Sequence, residues 1–389
     1  MSGLRGSAVI VGAFEHPGRK LPDHRLAQVH REVVAGALAD AGLGLADVDG
    51  FFCDSSAPGY GGLDLAQYLG LRTTWQESGE MGGSSYIAYL GHAAAAIAAG
   101  KCRIAVISLA GLPTHRKPVA GPDDPTPAAA FQVNGFAGGY AAVSDYALVA
   151  RRHMHDNGTT AEQLAEIKVA ATMHSQHNEH APLRTVVTIE DVVTSPLISD
   201  PLHRLDCCLV TDGGGALVVV HPDVASELGR TGAVLRGHGE AHKASLAGEL
   251  DLSWSANRLS GERAFAEAGV SASDIGYAGL YDSFTITVLL ALEDLGFCAP
   301  GQGGKFVQDG GLVSRSGRLA VNTDGGGLAN NHPGNRGGMT KVIEAVRQLR
   351  GEAHPAVQVS DCELALVSGT GFRLATNHYS STAILERWS

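Results

Sequence analysis

Apolar residues follow two alternating rhythms along this chain. Short continuous runs such as Ala8-Val9-Ile10-Val11 and Ala216-Leu217-Val218-Val219-Val220 are separated by stretches whose apolar positions recur every three or four residues, as in Ile87, Leu90, Ala94 and Ile97 or Val342, Ile343, Ala345, Val346 and Leu349. A short apolar run bounded by turns suits a strand buried on both faces, and the wider spacing suits a helix with one buried stripe. Their alternation predicts an α/β protein.

The pattern occurs twice. Ala37–Val48 aligns without a gap on Ala264–Ile275, and each copy reads as a helix end, a glycine stop and the approach to a strand. The strands then differ at their ends, Phe51-Phe52-Cys53-Asp54-Ser55 in one copy and Leu280-Tyr281-Asp282-Ser283-Phe284 in the other. A glycine-led helix from Gly83 to Gly100 has a counterpart of equal span from Gly334 to Gly351. Two copies of one α/β unit, meeting near a pseudo-twofold axis, are expected. The first copy runs over residues 1–225 with an insertion at about 113–199, and the second over 226–389. The insertion opens with the Pro- and Gly-rich stretch Pro113 to Pro127, continues through helices over Tyr140 to His155 and Ala161 to His174, and ends in polar loop.

One stretch stands out chemically. Val321-Asn322-Thr323-Asp324-Gly325-Gly326-Gly327-Leu328-Ala329-Asn330-Asn331-His332-Pro333-Gly334 is a glycine-rich turn that delivers a histidine to a helix start. From spacing alone, His332 is either an ordinary loop histidine or a placed catalytic one.

These features, with Thr211-Asp212-Gly213-Gly214-Gly215 closing the first half, resemble the thiolase superfamily over nearly the whole chain. The chain is most similar to the branch related to sterol-carrier-protein thiolases and lipid-transfer-protein aldolases. That resemblance implies a duplicated thiolase fold, two αβα halves in a five-layer αβαβα stack, with an inserted loop domain over the acyl pocket. Thiolases carry an Asn-Glu-Ala-Phe or His-Asp-Cys-Phe block where this chain has Tyr281-Asp282-Ser283-Phe284, and a Gly-His-Pro block where it has Asn331-His332-Pro333.

The departures decide the chemistry. The nucleophilic cysteine of thiolases belongs in Met81-Gly82-Gly83-Ser84-Ser85, which has none, and the second cysteine, just before a turn resembling Gly369-Thr370-Gly371, is replaced in Leu366-Val367-Ser368. Without a thiolate, thioester-linked Claisen chemistry is disfavoured. Ser84 or Ser85 as nucleophile lacks an evident paired base, and capping of the helix by both is the better reading. The family geometry implies that Tyr281 and His332 reach a pocket lined by Gly83, Ser84, Ser85, Asn331 and Gly369, where the His332 imidazole and backbone amides, including that of Gly369, polarise the thioester carbonyl and stabilise an enolate. In the similar aldolases two tyrosines act as base and acid; here His332 stands at the second position. That departure leaves the direction of proton traffic open: a free phenol titrates near pH 10 and a free imidazole near 6.5, so histidine is the easier base near neutrality unless Tyr281 is tuned downward. The alternative for Tyr281 is a packed strand-end residue with its hydroxyl on backbone.

The expected activity is carbon–carbon cleavage or formation on a CoA thioester, in the form of a (retro-)aldolase on a bulky β-hydroxyacyl-CoA. An acyltransferase without a cysteine nucleophile and a non-catalytic acyl-CoA- or lipid-binding subunit are the alternatives. The substrate is a coenzyme A thioester, with no covalently bound cofactor. The resemblance further implies a homodimer, and a heterotetramer with a small OB-fold zinc-ribbon protein.

Composition narrows the partners. At 389 residues, 44% hydrophobic and 18% charged, the chain can bury two cores. A formal net charge of −11 argues against nucleic acid or an anionic membrane. The six cysteines show no paired spacing, so neither disulfide nor structural zinc is expected. His174, His177 and His180 are imperfectly spaced for a metal site and read as a solvated or pocket-lining loop. The glycine runs at 213–215 and 325–327 lack nucleotide-cradling patterns. No apolar run has membrane-spanning length, and a cytoplasmic location is expected.

Overall fold

The repeat read in the sequence returns as a symmetric order of strands. The computed structural model describes residues 3–54, 60–115, 142–244, 251–334, 337–374 and 377–389. Its strands are β1 (Val9–Glu15), β2 (Gly50–Asp54), β3 (Trp75–Gly79), β4 (Ile104–Gly111), β5 (Leu197–Ser199), β6 (Leu202–His203), β7 (Gly213–Val220), β8 (Gly232–Ala244), β9 (Tyr277–Leu280), β10 (Ala320–Val321), β11 (Leu364–Arg373) and β12 (Asn377–Trp388). Described helices of eight residues or more are α1 (Leu26–Ala41), α2 (Gly62–Leu69), α3 (Ser85–Ala98), α4 (Ala142–Asn157), α5 (Ala161–Ser175), α6 (Asn257–Ala268), α7 (Thr285–Asp294) and α8 (Gly338–Arg350).

Ten strands form one mixed sheet in the order β10-β9-β11-β12-β8-β1-β7-β4-β2-β3. Reading outward from its centre, each half repeats the same sequence of strands, so β1 answers to β8, β7 to β12, β4 to β11, β2 to β9 and β3 to β10. The halves join where Val9 pairs with Val234 and Ile10 with Ala233. The aligned segments match in detail: α1 ends at Gly42 with φ 72°, α6 at Gly269 with φ 67°, and each is followed by a one-turn 3₁₀ helix, Leu45–Asp47 and Ala272–Asp274. Positive φ is what a glycine stop supplies without Cβ strain.

Three apolar cores separate the layers. Val33, Val34 and Leu38 of α1 pack with Leu65 of α2 on the outer face of the first half. Ile87 and Leu90 of α3 pack with Val342 and Ile343 of α8 between the two half-sheets. Ala264 of α6 and Val288 and Leu289 of α7 fill the outer face of the second half. This is the five-layer αβαβα stack that the resemblance implies. The central helices begin at Ser85 and Gly338, later than Gly83 and Gly334, so several residues before each are left to form a site.

The expected insertion needs correcting in two respects. It does not end in plain loop, because a short helix (Ile189–Val193) and the β5–β6 hairpin follow α5. Although it belongs in sequence to the first half, Tyr146, Val149, Leu164 and Ile167 pack in the same core as Ile286 and Leu289 of the second. Residues 116–141, which hold most of its Pro- and Gly-rich opening, lie outside the described residues. A short helix over Pro222–Leu228 spans the expected boundary at 225, and β8 begins at Gly232. No described helix is long and apolar enough to cross a membrane.

Candidate active site

Strand β9 ends one residue before Tyr281, whose backbone N–H donates to Ser368 O on β11 at 2.9 Å. Asn322, buried with φ 50°, extends that frame: its Oδ1 accepts from Leu280 N–H at 2.9 Å and its Nδ2 donates to Leu280 O at 2.8 Å. A left-handed asparagine at the strand edge thereby ties the glycine-rich turn to the strand that carries Tyr281.

The turn then folds over a short helix, Gly326–Ala329, and exits through Asn330 and Asn331 to His332. Gly326 has φ 60°, and a Cβ there would lie 2.2 Å from Asp282 Oδ2, so only glycine fits. His332 N–H donates to Thr211 Oγ1 at 2.8 Å. The first half of the chain therefore helps seat the histidine of the second.

The structure brings Tyr281 and His332 together. Tyr281 Oη lies 2.8 Å from His332 Nε2, with ring centroids 5.5 Å apart, and both residues are buried. Glycines make the room. A Cβ on Gly83 would stand 2.4 Å from Tyr281 Cε2 and Cζ, and one on Gly337 would stand 2.7 Å from His332 Cδ2 and 3.2 Å from Tyr281 Cε2. The phenol ring thus rests directly on the backbone that precedes α3, the segment where the thiolase nucleophile belongs.

Electrostatics change the roles read from the sequence. Burial first, and then the Lys341 ammonium, lower the His332 imidazole to about 4, against the opposite pull of Asp282. Histidine is therefore not the easier free base; it is a neutral acceptor or donor locked to a phenol. The Tyr281 hydroxyl bonds to the His332 side chain, where the packed-tyrosine alternative would have it on backbone.

The remaining expected pocket residues serve inside the protein. Ser84, fully buried, donates its hydroxyl to Gly369 O at 2.9 Å and to Tyr379 O at 3.3 Å. Ser85 donates to Gly82 O and accepts from Met81 N–H. Neither hydroxyl caps α3 through its free amides, and among the described residues both bond to backbone groups and not to a side-chain base. Asn331 donates from Nδ2 to Glu15 Oε1 and accepts at Oδ1 from Thr211, leaving the amide committed on both sides. Burial works to raise the Glu15 carboxyl, but Arg19, Arg347 and that Asn331 bond hold it below the usual carboxylate range. Gly369-Thr370-Gly371 is not a turn but continuous β11 strand, where a Cβ on Gly369 would meet Gly83 O at 2.7 Å. That approach packs β11 against the start of α3.

Other candidate chemistry resolves into structure. Burial pushes all six cysteines up, to between about 11 and about 12, so they stand as thiols. The three histidines near the end of the insertion do not share a loop. His174 is buried in α5 and accepts Ser314 N–H at Nε2, His177 stacks on His354 with centroids 5.0 Å apart, and His180 is exposed. Among the described residues one group, His16, His24 and Glu32, brings three metal-capable atoms within 4.8 Å. His16 Nδ1 accepts Gly18 N–H, which leaves the ring proton on Nε2, facing Glu32 at 2.9 Å. That tautomer makes a hydrogen bond, not a metal ligand. Sequence reasoning missed the buried Asp282 and Lys341, whose charges act on His332, and the buried Lys168, which donates to Leu328 O; a carboxylate next to Tyr281 and a lysine at an apolar helix position were the available signals.

Comparison with known proteins agrees with this architecture. The thiolase C-terminal domain-like family matches residues 238–387. A steroid side-chain-cleaving aldolase from Thermomonospora curvata is 33% identical, covering 95% of this chain and 97% of that protein. An acetyl-CoA acetyltransferase from Methanothermobacter thermautotrophicus is 31% identical, covering 95% and 98%. The solved structure of an Ltp2-ChsH2(DUF35) aldolase superposes with a TM-score of 0.87 at 32% identity, over 99% of each chain.

Proposed function

The chain belongs to the thiolase superfamily, and from that premise we propose that it is a carbon–carbon lyase acting on CoA thioesters. Its reaction is the retro-aldol cleavage of a bulky β-hydroxyacyl-CoA to a ketone or aldehyde and a shorter acyl-CoA. The observation that carries this reading is the 2.8 Å contact between Tyr281 Oη and His332 Nε2 in a site with no thiolate. The names of the similar aldolases support it.

In this reading Tyr281 Oη takes the β-hydroxyl proton as its own proton passes to His332 Nε2. The Cα–Cβ bond breaks, its electron pair forms the thioester enolate, and the new carbonyl leaves. The proton on His332 then returns through Tyr281 to Cα, so the enzyme ends as it began. A neutral imidazole with its pKa lowered to about 4 holds that proton only while the enolate needs it, which favours prompt return. The enolate oxygen requires hydrogen-bond donors facing the pocket. No covalent intermediate and no covalently bound cofactor enter.

Incubating the purified protein with a β-hydroxyacyl-CoA, and separately with two acyl-CoAs, tests the reading. Ketone or aldehyde release supports it. Free CoA release would favour the acyltransferase reading instead, and neither product would favour a binding subunit.

We also propose two assemblies. Strand β3 ends the sheet with one edge unpaired, beside the exposed side chains of Tyr60, Leu63 and Tyr68, and suits pairing with a second copy. The similar aldolase structure carries two components in its name, so a small OB-fold zinc-ribbon subunit completing a heterotetramer is the corresponding partner here. A monomer by light scattering at micromolar concentration would rule out the dimer.

A further inference from the structure

Beneath the Tyr281–His332 pair lies a group of buried charges that the proton path above does not use. Asp282 follows Tyr281 directly and is 1% exposed; its Oδ1 accepts Gly327 N–H at 2.9 Å and its Oδ2 accepts Leu328 N–H at 3.1 Å. Lys341, on α8 and fully buried, places Nζ 2.6 Å from Asp282 Oδ1. Lys168, on α5 of the insertion and also fully buried, donates Nζ to Leu328 O at 2.5 Å. Asp282 and Lys168 therefore hold residues 327–328, four residues before His332, and Lys341 holds Asp282.

Such burial is costly. Removing each ion from water carries a penalty of several kcal/mol, and a hydrophobic substitute of similar shape is often neutral or stabilising, so stability alone is a weak reason to keep the group. Its placement offers another reason. Asp282 is covalently next to one member of the pair and hydrogen-bonded to the turn that carries the other, so moving the carboxylate moves the Tyr281–His332 contact. Of the nearby charges, Asp282 acts more strongly on His332 and favours an imidazolium, and Lys341 opposes it.

We propose that Asp282, Lys341 and Lys168 form a buried positioning clamp that fixes the Tyr281–His332 distance, with the insertion supplying one jaw. This rests on the lyase reading for its kinetic consequence but not for its electrostatic one. Besides Asp282, the charged groups around the clamp are Asp206, which acts on Lys168, and Asp324, which acts with Lys341. Burial lowers the Lys168 ammonium to about 8.

The test uses the full-length protein and the variants Lys341→Met, Lys341→Arg, Asp282→Asn and Lys168→Met. In turnover of a β-hydroxyacyl-CoA, Lys341→Met and Asp282→Asn should lower kcat by about 10-fold to 100-fold with KM within about 3-fold, the signature of misplaced groups, and Lys341→Arg should recover most of the loss. Lys168→Met should lower kcat by less than about 10-fold. Independently of activity, NMR titration of labelled histidine should show the His332 midpoint rising from its wild-type position in Lys341→Met, where the charge of Asp282 is no longer opposed. If the wild type is inactive but that midpoint moves, the lyase reading fails and the clamp stands. If folded Lys341→Met and Asp282→Asn keep kcat within twofold and the His332 midpoint stays put, the clamp is wrong. Should Lys341→Met not fold, Asp282→Asn decides it: kcat within twofold of wild type in folded Asp282→Asn overturns the proposal.

Discussion

The approaches to α3 and to α8 occupy equivalent places in the two halves, yet they carry opposite content. Before α3, Met81-Gly82-Gly83-Ser84-Ser85 offers two glycines and two hydroxyls committed to nearby backbone groups. Before α8, the segment from Asn322 to His332 carries a buried histidine, a bond to the first half through Thr211, and a surrounding of buried charge. Duplication supplies two similar frames, and here the chemistry is concentrated in one while the other is cleared to make room. Gly83 shows how the two are linked, because the Tyr281 ring lies where any side chain at position 83 would stand.

Breaking the populated side should have the largest effect. Tyr281→Phe and His332→Ala should each lower kcat by about 10² to 10⁴, the range for losing one positioned acid–base or oxyanion group, with unchanged circular dichroism. Full activity in the double variant would refute the pairing.

Filling the cleared side should have the next largest. Gly83→Ala puts a methyl 2.4 Å from the Tyr281 ring and 2.5 Å from Thr370 O. The ring must move, so kcat should fall by about 10² and thermal stability by about 1–3 kcal/mol, read by turnover and a melting curve. Retained activity with an unshifted melting temperature would mean the cleared frame has slack that the packing denies.

The pH profile sharpens the contrast. A free imidazole would bring an acid limb near 6.5, whereas His332, lowered to about 4 by burial, stays neutral well below that. Its neutral form is fully present above 6.5 and is lost only as pH falls toward 4, so kcat/KM should hold between those values. An acid limb at 6.5 would show that His332 is more solvated in the working enzyme.

The smallest effects belong to residues of the cleared side and to the cysteines. Ser84→Ala should cost about 1 kcal/mol of stability, as for loss of one buried hydrogen-bonding group, and change kcat by only a few fold. Cys53→Ser, Cys298→Ser and iodoacetamide should likewise leave turnover within a few fold. A trapped acyl group on Ser84 or Ser85 by mass spectrometry would overturn this assignment.

Local patterning carried much of this protein. Glycine stops, the aligned copies Ala37–Val48 and Ala264–Ile275, and the apolar stripes of α3 and α8 were legible because they depend on neighbours a few residues away. The prominence of Tyr281 and His332 came from two short blocks in a fixed order. The roles of Ser84, Asn331 and His174 were not legible, because each is set by a partner far along the chain: Gly369 and Tyr379, Glu15, and Ser314. A hydroxyl or amide offers both donors and acceptors, and composition does not say which is used.

By itself, then, the sequence determined a duplicated α/β architecture and the absence of a thiolate from both thiolase positions, since periodicity, glycine stops and missing atoms are local facts. The tertiary structure decided that Tyr281 and His332, 51 residues apart, meet at 2.8 Å, that Gly83 leaves the room for them, and that Lys168 reaches across from the insertion. Those outcomes depend on long-range packing and on burial, which shifts proton affinity through the surroundings of a group and not through its place in the chain.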